Sequence, residues 1–229
     1  MKLYILTLFP EMFSNIVDRS ILKRAQAANL ISIETINIRN FANGKHKKVD
    51  DKPYGGGPGM VLKVDVVFNA LESVLKLSKE KPYVILLAAS GKKYDQKMAS
   101  TLSKKKTLVI IAGHYEGVDA RIEEYVDEII SIGDYVLTGG EIPALVLVDS
   151  ITRLIPGTIN PSSPQDESFQ KGQLEHPQYT RPEVFMGKPV PKVLLSGNHE
   201  EIKIWRDREN LKRTKKYRPD LLKQKKKLR

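Results

Sequence analysis

The chain contains no cysteine among its 229 residues. That excludes a disulfide framework, a thiolate nucleophile and any thiolate-ligated metal centre. Histidine is scarce as well: His46, His114, His176 and His199 are scattered and lack zinc-ligand spacing. No apolar stretch approaches the ~20 residues of a membrane-spanning helix. Residues 1–9 faintly imitate a signal sequence, but Pro10 and Glu11 follow at once and no small-residue cleavage site appears. They read instead as a buried first strand. These absences lead to the expectation of a soluble, cytoplasmic protein with no membrane partner.

What is present is a sizeable apolar fraction, 41%, enough for a real core. The charge is unevenly placed. The whole chain carries +11, and residues 203–229 hold 13 Lys/Arg against 3 Asp/Glu. A local +10 leaves only +1 on residues 1–202. A nearly neutral body with a basic arm suits a polyanion, although such runs also serve as solubilising tails.

Short apolar runs at 3–8, 32–38, 84–88, 108–112 and 128–132 read as strands, several apolar on both faces. Helical patterns fill 11–28, 64–77, 96–104, 120–125 and 142–154. The alternation predicts an α/β fold with a parallel sheet covered by helices on both sides. Residues 40–60 and 155–182 interrupt it as long polar segments, of a length that is usually functional or flexible. Asn198, with Glu201 three residues on, marks a helix start running through Trp205 towards Arg213. A second short helix is expected near 219–227.

Three glycine-bracketed loops stand out. Pro53-Tyr54-Gly55-Gly56-Gly57-Pro58-Gly59-Met60 permits unusual backbone angles and close ligand approach. It lacks the Gly-Lys-Ser/Thr of a phosphate loop. It is a tight turn or a ligand loop. Gly113-His114-Tyr115-Glu116-Gly117 directly follows a strand, where open α/β sheets bind ligands. Residues 132–141, Ile-Gly-Asp-Tyr-Val-Leu-Thr-Gly-Gly-Glu, again follow a strand and open a helix. Their backbone groups suit an adenine edge. In the second long segment, Asp166-Glu167-Ser168-Phe169 offers paired carboxylates for general-base work, or merely solvated surface acids.

Taken together, residues 53–60, 113–117, 131–141 and Tyr179-Thr180-Arg181-Pro182 resemble the bacterial tRNA (guanine-N1-)-methyltransferase family. The opening Leu8-Phe9-Pro10-Glu11-Met12-Phe13 and the late Leu195-Ser196-Gly197-Asn198-His199 fit it too. The resemblance runs from residue 1 to about 220, with the motifs in family order. It implies a knotted α/β methyltransferase fold of the SPOUT class, with a knotted domain over 1–160, a flexible linker over 161–178 and a small basic, helical tRNA-binding domain over 179–229. It also implies a homodimer with the site at the subunit interface, and methylation of the guanosine immediately 3′ of the anticodon.

Carried over by position, the S-adenosyl-L-methionine pocket would be Leu86, Leu87, Ala88, Gly113, Tyr115, Glu116, Gly117, Ile132, Gly133, Asp134, Tyr135, Val136, Leu137, Gly139 and Gly140. The glycines are expected to leave space for the cofactor. The tRNA would meet Asp50, Gly57, Pro58 and Gly59. Ala88-Ala89 stand where Ser-Pro is common in the family, a change that backbone contacts survive. Arg153 matches the catalytic arginine, suited to stabilise charge on the guanine O6. The family's base is an Asp immediately before Ser-Phe. Here that position is Glu167, with Asp166 one residue earlier, and Glu167 is the favoured match. The resemblance implies assistance by Mg²⁺, for which the sequence has no dedicated ligand set. Two other readings remain: a ribose 2′-O-methyltransferase of the same fold, and a non-enzymatic RNA-binding protein that has lost the base.

Overall fold

The computed structural model describes residues 1–159, 168–169 and 172–222. They belong to two compact units, Met1–Ile159 and Asn160–Arg229. The strands are β1 (Lys2–Thr7), β2 (Ser32–Asn37), β3 (Asp50–Asp51), β4 (Val61–Leu62), β5 (Tyr83–Lys93), β6 (Thr107–Ala112), β7 (Glu128–Ser131), β8 (Val184–Phe185) and β9 (Lys188–Pro189). The α-helices are α1 (Glu11–Val17), α2 (Ser20–Ala27), α3 (Val64–Leu77), α4 (Gln96–Leu102), α5 (Glu141–Thr152) and α6 (His199–Tyr217).

The first unit is built on a five-stranded sheet in the order β2-β1-β6-β5-β7, with every pairing parallel. Strand side chains alternate between faces, and both faces here are covered. Leu3, Ile5, Leu108 and Ile110 pack with Phe13, Leu22, Leu102, Val148 and Ile151 of α1, α2, α4 and α5. Tyr4, Leu6, Val109 and Ile111 pack with Val66, Val67, Ala70, Leu71 and Val74 of α3. That double burial is why β1 and β6 read as unbroken apolar runs.

Three elements differ from the sequence expectation. The helix expected over 11–28 is two helices, broken where Ser20 adopts φ +46°. Residues 120–125 form a 3-10 helix rather than an α-helix. β5 continues past residue 88 to Lys93, and both Leu87 and Lys92 lie opposite Ile130 of β7. The residues between them form a wide bulge. Gly91 permits it, because a Cβ there would stand 2.5 Å from the Ile130 nitrogen.

In the second unit, β8 and β9 pair as an antiparallel hairpin and α6 follows. The Asn198 side chain accepts from the backbone N–H groups of Glu200 and Glu201, the cap its position predicts. The helix runs on to Tyr217, past Arg213. Residues 172–178, expected as part of a linker, are tied to α6. Leu174 N–H donates to Thr214 Oγ1 at 2.8 Å, and His176 lies edge-on to Trp205. Asp166 and Glu167 lie outside the described residues, as does the end of the short helix expected near 219–227. Among the described residues no helix is long and apolar enough to cross a membrane.

Candidate functional site

Three chain segments meet at the carboxyl ends of β5, β6 and β7 and enclose a cavity of about 470 Å³. That volume suits a small-molecule ligand. Leu86, Leu87, Ala88, Ala89 and Ser90 come from β5 and its bulge, and residues 113–118 from the loop after β6. Ile132, Gly133, Tyr135, Val136, Leu137, Gly139 and Gly140 come from the loop after β7. Every residue assigned to the cofactor from sequence therefore lines one cavity except Asp134. The Asp134 side chain is exposed and pairs with Lys93 at 3.3 Å.

The loops are fixed to one another through backbone atoms. Gly140 N–H donates to the Gly113 carbonyl at 2.7 Å, and His114 bridges Gly139 in antiparallel fashion. The expectation that Gly140 leaves room for a ligand needs correction. A Cβ at Gly140 would stand 2.7 Å from the Ala112 Cα and 2.8 Å from the Gly113 nitrogen. The glycine is required by backbone meeting backbone, so a larger residue would prise α5 from β6. Gly117, with φ +120°, has nothing near its missing side chain.

The glycine loop lies against this cavity. Glu116 N–H donates to the Met60 carbonyl at 3.0 Å, and Leu62 N–H to that of Gly117 at 3.0 Å. Gly59 takes φ +81°, and a Cβ there would run into the Glu116 side chain. Gly57 and Pro58 are exposed at the tip, while Asp50 sits on β3 opposite Leu62. Asp119, next along, receives two guanidinium N–H bonds from Arg121, at 2.9 and 2.7 Å. Those bonds hold its carboxyl below the usual carboxylate range.

Arg153 is set apart. It caps the C-terminal end of α5, whose N-terminal end is at the cavity. Twelve helical residues place the two ends about 18 Å apart. The cavity and Arg153 of one chain are thus at opposite ends of one helix. Among the described residues no group of three or more His, Asp or Glu side chains is placed to hold a metal ion. Other lining residues, among them Ser90, His114, Ser131 and Pro143, lie outside the set assigned to the cofactor from sequence. An isolated glycine inside a strand pattern, Gly91, was the available signal for the bulge that brings Ser90 there.

A polar cluster lies beneath the loops. Glu141, the first residue of α5, is 2% exposed. Thr7 at the end of β1 donates its hydroxyl to Oε1 at 2.9 Å. His114 Nδ1 is 3.6 Å from Oε2.

The chain matches the family model described as tRNA (guanine-1)-methyltransferase TrmD over residues 1–224. Curated relatives named tRNA (guanine-N(1)-)-methyltransferase include that of Alkaliphilus oremlandii, 52% identical over 230 residues, 97% of this chain and 92% of the relative. That of Geobacillus kaustophilus is 55% identical over 225 residues, covering 97% and 91%. That of Dictyoglomus turgidum is 54% identical over 223 residues, covering 97% and 90%. A match of this extent, on a parallel sheet whose glycine loops enclose one cavity, places the chain in the tRNA (guanine-1)-methyltransferase family.

Proposed function

We propose that this protein transfers a methyl group from S-adenosyl-L-methionine to N1 of the guanosine immediately 3′ of the anticodon in tRNA, as a homodimer whose two sites are shared between subunits. The observation that carries the reading is the backbone-lined cavity at the ends of β5, β6 and β7, in a chain matched by the family from residue 1 to 224. In this reading the crossing of the knot lies here, where the three segments meet.

The donor set suits the cofactor. Backbone N–H and carbonyl groups of residues 132–140 can pair with an adenine edge, and the apolar walls Leu86, Leu87, Ile132 and Leu137 with its faces. S-adenosylmethionine, when bound, supplies a methyl group on a sulfonium that is its own leaving group. The protein's task is alignment, proton removal and charge stabilisation. Guanine N1 bears a proton at neutral pH, and Glu167, the residue that matches the family's base, takes it, with Asp166 as the alternative. Arg153 stabilises the negative charge that then develops on guanine O6. The basic residues of α6 and beyond hold the tRNA phosphates. Among the described residues no group of three or more His, Asp or Glu side chains is placed to hold Mg²⁺.

Two features favour the shared site. With about 18 Å between the ends of α5, Arg153 is out of reach of its own chain's cavity, as a site shared between subunits requires. In addition, α5 is apolar nearly all round, a pattern of helices covered on every side. In the single chain Ile142 is 48% and Val146 39% exposed. On the neighbouring α1, Met12 and Ile16 are exposed as well. A second copy would cover this face.

The test is mass spectrometry of a tRNA transcript after incubation with the protein and S-adenosylmethionine. One methyl on N1 of that guanosine is expected; ribose methylation, or none on several guanosine-bearing tRNAs, would overturn the reading. For the dimer, inactive Glu167→Gln and Tyr115→Ala chains are mixed. A shared site puts both lesions in one of the two sites, so activity partly returns. No recovery, although heterodimers form, removes the sharing.

A further inference from the structure

We propose that Glu141 is a positioning residue: held by Thr7 and holding His114, it sets the loop that receives the cofactor, and its contact with His114 tightens when the cofactor binds. This rests on the function proposed above.

The carboxylate is in an unusual place. It is 2% exposed, yet it is absent from the cavity lining. Burying such a group is unfavourable unless it is fully partnered, and an apolar side chain would fill the space at lower cost. Part of the compensation is local, since the N-terminus of α5 favours negative charge. Thr7, itself fully buried, donates to Oε1 at 2.9 Å, and its oxygen also accepts the Phe9 N–H at 3.0 Å. β1 is thereby joined to α5 across 134 residues of sequence.

Oε2 is turned to His114. Nδ1 of that imidazole is shut off from solvent and has no hydrogen-bond partner; Oε2, 3.6 Å away, is longer than a hydrogen bond. The ring is flanked edge-on by Phe9 at 4.9 Å and Tyr115 at 5.0 Å. Gly139 is what lets the two groups approach, because a Cβ there would press on both the Glu141 carboxylate and the His114 ring. His114 lines the cavity, between Gly113 and Tyr115, so a ligand packed on this loop presses the ring towards Glu141. Contacts in ligand-free sites are commonly long and shorten when the ligand seats. Closing this one gives the stranded Nδ1 a partner, with Nδ1 as donor to the carboxylate, and fixes residues 113–117 and 139–140 together.

The test uses the full chain and S-adenosylmethionine as the titrant in calorimetry. Thr7→Val keeps the side-chain shape but removes the donor to Glu141, and Thr7 does not line the cavity. It is expected to weaken binding by about tenfold, the scale of a buried acceptor left unpaired. Thr7→Ser, which restores the hydroxyl, is expected to bind nearly as wild type. A purely structural role would lower the melting temperature of Thr7→Val and leave the affinity of the folded protein unchanged, and that result overturns the proposal. A second readout needs no variant of Thr7. In ¹⁵N-histidine spectra of the wild type, the His114 Nδ1–H signal, identified by its loss in His114→Asn, is expected to move downfield when S-adenosylmethionine is added. A signal that stays in place also overturns the proposal. Wild-type protein that binds no S-adenosylmethionine would instead bring down the parent function.

Discussion

α5 and α6 are the two helices whose composition says most about their surroundings, and they are opposites. α5 buries Ala144, Leu145, Leu147, Val148 and Ile151 and still has Ile142 and Val146 left over. α6 is longer, at 19 residues, yet Thr214 is its sole buried residue, and Lys215 and Lys216 stand in its last turn. A helix with surplus apolar surface calls for more protein; one with surplus cations calls for a polyanion. The same contrast separates the units that hold them. The first is organised around two cores on either side of a sheet, and the second, among its described residues, presents basic side chains on a helix that buries Thr214 alone.

Substitutions in each region probe that contrast. The largest effect is expected at the proposed base: Glu167→Gln is expected to slow methyl transfer by roughly 10²–10⁴-fold, with S-adenosylmethionine affinity unchanged in calorimetry. If Asp166→Asn is the more damaging change, the loop register is shifted by one residue. Next comes the sheet. Ile110 is fully buried, and Ile110→Ala is expected to lower unfolding free energy by about 2–5 kcal/mol in urea denaturation.

Alkaline titration reads burial in the same unit. Tyr94 is hydrogen-bonded to Ser150 Oγ at 2.7 Å, and burial pushes its hydroxyl up to about 12. The unfolded chain releases that proton near pH 10 and the folded one near 12. The folded state thus binds more protons in that window, and stability falls as pH rises through it, by up to about 2–3 kcal/mol. Tyr94→Phe should flatten the decline seen in melting curves between those pH values. On α6, changing Lys212, Lys215 and Lys216 together to Gln should weaken tRNA binding by about tenfold and make the log–log salt slope shallower by roughly 2, while leaving stability alone. The smallest effect is expected at Ile204, 63% exposed on α6. Ile204→Ala should change stability by no more than about 0.5 kcal/mol, and a larger loss would mean that α6 is covered after all.

Much of the first unit was legible in the sequence, because buried parallel strands and amphipathic helices leave strong periodic signals. α3 and the start of α4 fall where the pattern puts them, and Asn198 caps α6 as its spacing requires. The break between α1 and α2 was not legible. It depends on Ser20 in a left-handed conformation, and a single non-glycine residue there has no dependable signature. Most of the cavity lining was reached through its glycine loops, yet what the glycines do was only half visible. Gly139 and Gly140 make room for protein atoms, as the Cβ positions reveal. Thr7 and the part played by Glu141 were missed for a simpler reason: Thr7 belongs to no motif, Glu141 only closes one, and their contact spans most of the first unit.

The crowding at Gly91 and Gly140 also bears on how this pocket could evolve under attack. An inhibitor gripping side chains can be evaded by exchanging them. One that takes its hydrogen bonds from the backbone of residues 132–140 meets a surface that most substitutions leave in place. Two glycines that shape the pocket have no room for a side chain: a Cβ at Gly140, which lines it, or at Gly91, which sets the neighbouring bulge, collides with main chain. Change at either would cost the protein the packing of α5 on β6, or of β5 on β7, so resistance is not expected to arise at these two positions.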